Sequence, residues 1–468
     1  NLSARSLLFL WAGIVLIYLP FLPPVIFSTD GNSMLAVAES LVTGFSFAVP
    51  PDLGTEGLHG AHYSPWYPLL SLVATPFVAL GYFAGWLFGV PGHYAAGFFA
   101  LSVNVFITAG VAVLVALLSA HLGARPSGAL TAATAFALGT FAWVYARKFF
   151  PEPLLTVTIL LAFWFAFRNN ALLAAIACAL AVLAKPTGAV AGVVLTLYLL
   201  RQKKPLQKSC LPVAGAVVGV GTYALYNLLR FGSPSAFGER PGFGASRFFE
   251  AFFGLLVSPG YGLIWFAPPV LALILLPRRT WKSPEALAIL FLSVLFLLLY
   301  AFRPTDWFGG WSWGPRFLFP CLALLIPFAG LLEGTRQKVL IGLVVLGLIV
   351  HMPTMISYYE RAFIEQGEQG VAGHELAWSV TETPLVSIWS AAGNTIEAAA
   401  QNDVREVAQE AMSSSADDQG QLMKVLAAWW WLTPVAGIPR WISIPLAVIM
   451  ACCGGWFLRL SFREAAAQ

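Results

Sequence analysis

Hydropathy, scarcity of charge and the placement of the few charges predict an all-α polytopic membrane protein, a bundle of about twelve transmembrane helices. Of 468 residues, 59% are hydrophobic and only 10% are charged. Soluble domains carry about 25% charged residues, so composition alone excludes an ordinary water-soluble fold. Mean hydropathy is +0.77, and apolar runs of roughly 18–25 residues recur, each long enough to cross about 30 Å of hydrocarbon. The net charge of +4 is small and spread along loops, which excludes a nucleic-acid partner. Cys178, Cys210, Cys321, Cys452 and Cys453 fall in or beside apolar runs, so neither a disulfide framework nor a CxxC metal site is expected.

The first run, Leu7 to Phe27, is read as a span. It exceeds the roughly 7–15 apolar residues of a signal peptide, and no small-x-small cleavage site follows. Further spans are expected near 97–120, 128–147, 153–168, 171–185, 186–200, 210–230, 252–276, 284–302, 315–332, 337–356 and 441–459. Arg125, Arg168, the RQKKPLQK stretch, Arg278, Arg279, Lys282, Arg336 and Lys338 then share one face with Arg459 and Arg463. Short basic loops make that face cytoplasmic. The run 64–90, SPWYPLLSLVATPFVALGYFAGWLFGV, would swap every later loop if it crossed once. With Pro65, Pro68, Pro76 and several aromatics it is expected to lie in the interface, within a first outer loop 28–96.

Three regions follow: a transmembrane core 1–356, a small outer cap 357–424, and an interfacial segment with the last span, 425–468. The cap is polar and Ala/Glu/Gln-rich, with NTIEAAAQNDVREVAQEAM as a surface helix bounded by an SSSADDQG turn. The three tryptophans of AAWWWLTP suit an interfacial aromatic belt.

Ionisable groups beside hydrocarbon are costly and therefore candidates for function. Four sets fall on the outer face: Asp30 in STDGNSMLAVAES, then Arg147, Lys148 and Glu152 in RKFFPEPLL, then Lys185 in LAKPTG. The fourth is Asp306 and Arg316 in DWFGGWSWGPRFLFP. Each has a plainer reading. The basic groups can snorkel to headgroups, Lys185 can bind carbonyls at a helix end, and Asp30 and Glu152 can cap the helices they precede.

Taken in order, STDGNSMLAVAES, HYSPWYPLL, FPEPLLTVTILLAFWFAF and LAKPTGAVAGVVLTLYLL resemble the GT-C membrane glycosyltransferases. Within these they are most similar to the protein O-mannosyltransferases and the lipid A aminoarabinose transferases. The stretch WFGGWSWGPRFLFPCLALLIP looks like a late outer loop of bacterial members. The resemblance implies an inverting transfer of sugar from a polyprenyl-phosphate donor to a lipid, glycan or protein acceptor at the outer face of the inner membrane. Asp30 falls at the family's catalytic carboxylate, and Glu152 where the family has an Asp before Pro. His62 stands where relatives place a phosphate-binding Lys, and Lys185-Pro186 matches a Lys-Gly pair. The family's first Asp is followed by Glu, where this chain has Gly31.

General-base work on an acceptor hydroxyl suits a carboxylate, which makes Asp30 and Glu152 the catalytic candidates. Arg147, Lys148, Lys185, Arg316 and His62 are the candidates for the donor phosphate. Tyr63, Trp311 and Trp313 are the candidates for substrate contact. A divalent cation, Mg or Mn, held by Asp30 and Glu152 would neutralise the leaving phosphate equally well. A transporter or lipid flippase, with Asn104 as its mid-span polar group, is the alternative class. A ligase for a preassembled glycan or acyl chain and an inactive partner subunit of the same fold are the others.

Overall fold

The computed structural model describes residues 2–236, 242–368, 373–407 and 426–467. Among them the structure is almost wholly helical, with one short β-hairpin pairing Thr55 with Tyr63 and Glu56 with His62. Seven helices are long and apolar enough to cross a membrane, and five shorter apolar ones accompany them.

The first helix, α1 (Ala4–Tyr18), starts where Ser3 accepts from the Ser6 amide. An extended stretch leads to α2 (Thr29–Gly44), capped by Ser28. After the hairpin come α3 (Pro68–Phe88) and α4 (Gly92–His121), which fold back on each other. Ser71 on α3 donates to the Met34 carbonyl of α2. At its other end α3 lines an apolar pocket with Pro24, Val25 and Trp429. The helix has the length and composition of a membrane span.

Apolar helices α5 (Pro126–Gly139), α6 (Glu152–Phe167), α7 (Ala171–Ala184), α8 (Ala189–Arg201) and α9 (Leu211–Phe231) continue the bundle. The run predicted at 252–276 is broken. After α10 (Phe248–Val257) it passes through Pro259 and Gly260 into a short turn and a 3-10 stretch, Pro268–Leu275. Buried backbone outside a helix needs partners. Here the Phe266 carbonyl accepts from Phe141 N at 3.1 Å and from His351 Nε2 at 3.1 Å. His351 Nδ1 in turn accepts from Trp313 Nε1 at 2.9 Å, which fixes the tautomer.

Then follow α11 (Pro284–Ala301), α12 (Phe319–Leu325) running into a 3-10 turn, and α13 (Thr335–Ile356). At the far end of the bundle Arg125 pairs with Glu333 at 3.0 Å and Tyr198 with Glu285 at 3.0 Å. The basic loops collect at that end. Beyond α13 lie α14 (Tyr359–Glu368) and α15 (Pro384–Gln401), joined through Arg361 to Thr395 at 2.9 Å. The surface helix expected within 394–412 thus begins earlier, at the Thr383 cap, and ends at Gln401. Residues 408–412 and the SSSADDQG turn lie outside the described residues. The last helix, α16 (Arg440–Ala466), returns beside α1 through reciprocal Ser6–Ser461 bonds of 2.9 and 2.8 Å.

Candidate functional site

Asp30 stands in the first turn of α2, where a carboxylate suits the positive end of the helix. Ser28 positions that turn by accepting from Gly31 N at 3.0 Å. Gly31 has no room for a side chain. A Cβ there would meet Ser28 Oγ at 2.6 Å, Ile26 Cγ2 at 2.7 Å and the Phe149 carbonyl at 3.3 Å. A side chain at position 31 would have to displace Ser28 Oγ and Ile26 Cγ2, and Asp30 has no carboxylate directly after it in the chain.

The turn before α6 is held from α4. Asn104, buried, donates from Nδ2 to the carbonyls of Lys148 at 2.6 Å and Phe150 at 2.9 Å. Arg147 and Lys148 are neighbours in sequence but point to different partners. Arg147 donates to the carbonyls of Phe21, Thr354 (2.8 Å) and Ala427 (2.6 Å), tying three chain segments together. Lys148 Nζ grips both oxygens of Glu360, at 2.6 and 2.7 Å. Burial pushes its ammonium below the ordinary lysine range, and the Glu360 carboxylate acts against that.

Glu152 opens α6 and is 2% exposed. Its Oε1 accepts from Lys185 Nζ at 2.9 Å, and its Oε2 is buried without a hydrogen-bond partner. Lys185 sits at the end of α7, its ammonium 4.5 Å from the centre of the Phe317 ring. Arg316 follows a loop turned by Gly309, Gly310 and Gly314, all at positive φ. Gly309 is required twice: its φ is +89°, and a Cβ would come within 2.9 Å of Arg316 Nε. The half-buried guanidinium lies over the Phe150 ring at 4.9 Å. Its charge is felt with those of Glu152 and Asp30.

These elements enclose a pocket of about 320 Å³ at one end of the bundle. Asp30, Asp306 and Glu360 line it with Arg303, Arg316 and Trp311. Of the residues singled out in sequence, Asp30, Asp306, Arg316 and Trp311 reach this pocket. Lys148 and Lys185 stand behind its wall, on Glu360 and Glu152. The structure does not bring Arg147, His62, Tyr63 or Trp313 to it. His62 and Tyr63 belong to the hairpin, Tyr63 packing on Phe231, and Trp313 is fully buried against His351 and Phe266. Sequence reasoning did not assign Glu360 or Arg303. The one available signal was position, since each follows a long apolar helix directly.

Glu152 Oε1 is taken by Lys185, while Oε2 is left without a hydrogen-bond partner. Among the described residues no group of three His, Cys, Asp or Glu side chains comes together as a metal site.

No family model matches the chain, and no curated protein matches its sequence. Solved structures do match. The structure of ArnT from Cupriavidus metallidurans in the apo state superposes with TM-score 0.51, at 14% identity, over 97% of this chain and 74% of that one. ArnT from the same organism bound to undecaprenyl phosphate gives 0.50, at 14% identity, over 99% and 78%. The archaeal oligosaccharyltransferase AglB from Archaeoglobus fulgidus, in complex with an inhibitory peptide and a dolichol-phosphate, is more distant at TM-score 0.40 and 11% identity, over 90% and 59%. The ArnT likeness is one of fold: the chain shares the polytopic all-α architecture of that structure.

Proposed function

We propose that this multi-pass membrane protein with the GT-C fold is a glycosyltransferase that takes its sugar from a polyprenyl-phosphate carrier. The acceptor is a hydroxyl of a lipid, glycan or protein at the extracytoplasmic face of the inner membrane. One observation carries the reading: a pocket at the less basic end of the bundle sets the Asp30 carboxylate among the guanidinium groups of Arg303 and Arg316. The opposite basic end is the cytoplasmic one by the distribution of Arg and Lys.

The chemistry follows from the groups present. Asp30 accepts the proton of the acceptor hydroxyl as that oxygen attacks the anomeric carbon. The bond from the anomeric carbon to the phosphate oxygen breaks, and its electron pair stays on the phosphate. In-line attack inverts the anomeric centre. Arg316, fixed over Phe150 with Glu152 and Lys185 behind it, meets the developing phosphate charge with paired donors. The protein's own cations supply the charge that a divalent ion would otherwise supply. The unused carrier site in sequence terms, His62, lies on the hairpin and takes no part.

The test is turnover of wild type and Asp30→Asn with a panel of polyprenyl-phosphate sugars and an acceptor extract, read as released polyprenyl phosphate. Loss of about 10²–10⁴-fold in the variant, with donor still bound, is expected for a missing base. A chelator arm should leave wild-type turnover unchanged. No consumption of any donor by wild type would refute the reading.

A further inference from the structure

Glu360 was not among the residues the sequence singled out, and the transfer chemistry does not use it, yet it lines the same pocket as Asp30. It opens α14, the first element beyond the α13 span, and is 4% exposed. Both its oxygens are held by Lys148, at 2.6 and 2.7 Å. The ammonium is itself enclosed by the rings of Tyr359, at 4.5 Å, and Tyr358, at 5.2 Å. The carbonyl of Lys148 is pinned by Asn104. The carboxylate is thus fixed in place from two sides of the fold.

We propose that Glu360 recognises the sugar of the carried donor, as an acceptor of hydrogen bonds from its ring hydroxyls. This rests on the donor class proposed above. An ionised carboxylate has about four lone-pair sites, and Lys148 takes one on each oxygen. Because Glu360 lines the pocket, the other two sites are the ones a ligand there could use. A carboxylate paired with an ammonium is a strong acceptor, since hydrogen bonds to ionised groups are about twice as strong as neutral ones. A phosphate would be repelled from Glu360, so the carrier phosphate belongs on the Arg303 and Arg316 side. The sugar then lies toward Glu360, with Trp311, 53% exposed, offering a ring face to stack on. The two pocket carboxylates divide the work: Asp30 moves a proton and Glu360 selects what is carried.

The test compares binding of undecaprenyl phosphate with binding of undecaprenyl-phosphate-linked pentoses and hexoses. The proteins are wild type, Glu360→Gln and the double variant Glu360→Gln/Lys148→Met. The double variant removes both charges, so no lone ammonium is left buried. Both variants should bind bare undecaprenyl phosphate within about twofold of wild type and lose about 10-fold or more for the preferred sugar-bearing donor. In turnover the loss should fall on KM for the donor more than on kcat. Equal loss for carrier and donor would make Glu360 a structural residue, and no loss for either would place the sugar elsewhere. Both results leave the donor class standing. Wild type that binds neither ligand would instead remove the donor reading itself.

Discussion

The ion pair of Glu152 and Lys185 allows a sharp test of what Glu152 is for. Lys185→Met removes the ammonium that sits 2.9 Å from Glu152 Oε1, while Oε2 already lacks a hydrogen-bond partner. The carboxylate, 2% exposed, is then left with Arg316 as its counter-charge. Breaking a buried pair from one side costs about 3–5 kcal/mol, because the surviving charge stays desolvated. Arg316 remains in reach, so the lower end applies, about 3 kcal/mol, or roughly a 150-fold shift in the folded-to-unfolded ratio. Glu152→Gln/Lys185→Met removes both charges and should fall within about 1 kcal/mol of wild type, since buried pairs replaced together are often neutral. The assay is folded fraction against mole fraction of sodium dodecyl sulfate for wild type, both single variants and the double. A double variant as damaged as Lys185→Met would refute the argument that the pair balances itself. The same proteins decide the role of Glu152. If it only anchors Arg316, the double variant keeps turnover to within about tenfold; a fall of 10²-fold or more in folded protein would make it an acid–base group.

Three further outcomes are expected. Gly31→Ala should cost about 1–3 kcal/mol through overpacking against Ser28 Oγ and Ile26, with loss of the α2 cap as part of it; an unchanged unfolding midpoint would contradict the contact. Asn104→Leu should leave the buried carbonyls of Lys148 and Phe150 unpaired, at about 1–3 kcal/mol each, read in the same unfolding assay. Arg147→Met should lower stability while leaving affinity for polyprenyl phosphate at the wild-type value, whereas Arg316→Met should do the reverse; titration of each purified variant with the carrier separates them.

How much of this was legible in the sequence follows from what hydropathy and charge report. They report depth. Asp30 and Arg316 were visible as charges abutting apolar runs. Direction is a different matter. Arg147 and Lys148 are adjacent, so no sequence pattern distinguishes a guanidinium that binds three carbonyls from an ammonium that binds Glu360. Asn104 read as the polar group of a translocation path, yet its amide is spent on the carbonyls that shape the turn before α6. Trp313 and Trp311 are two residues apart, and one is sealed against His351 while the other faces the pocket. Glu360 lay in a segment rich in acids, where one more acid carries no signal. The break at Pro259 and Gly260 was hidden because the segment is apolar throughout.

The balance of charge around the pocket bears on how a transfer could run there at all. Asp30, Glu152, Asp306 and Glu360 stand against Lys148, Lys185, Arg303 and Arg316, so the site is close to neutral before a ligand arrives. In a poorly screened site, creating a net charge is expensive. In the proposed reaction the leaving phosphate gains one negative charge. In the same step Asp30 takes the acceptor's proton and loses one. The charge within the pocket therefore stays constant through the step, and what changes is its position, from Asp30 to the phosphate held by the arginines. Gly31 matters to this balance, because a second carboxylate beside Asp30 would add a charge that no cation here is placed to offset. The close packing around Gly31 and the charge count of the pocket are both in keeping with the single-carboxylate base proposed above.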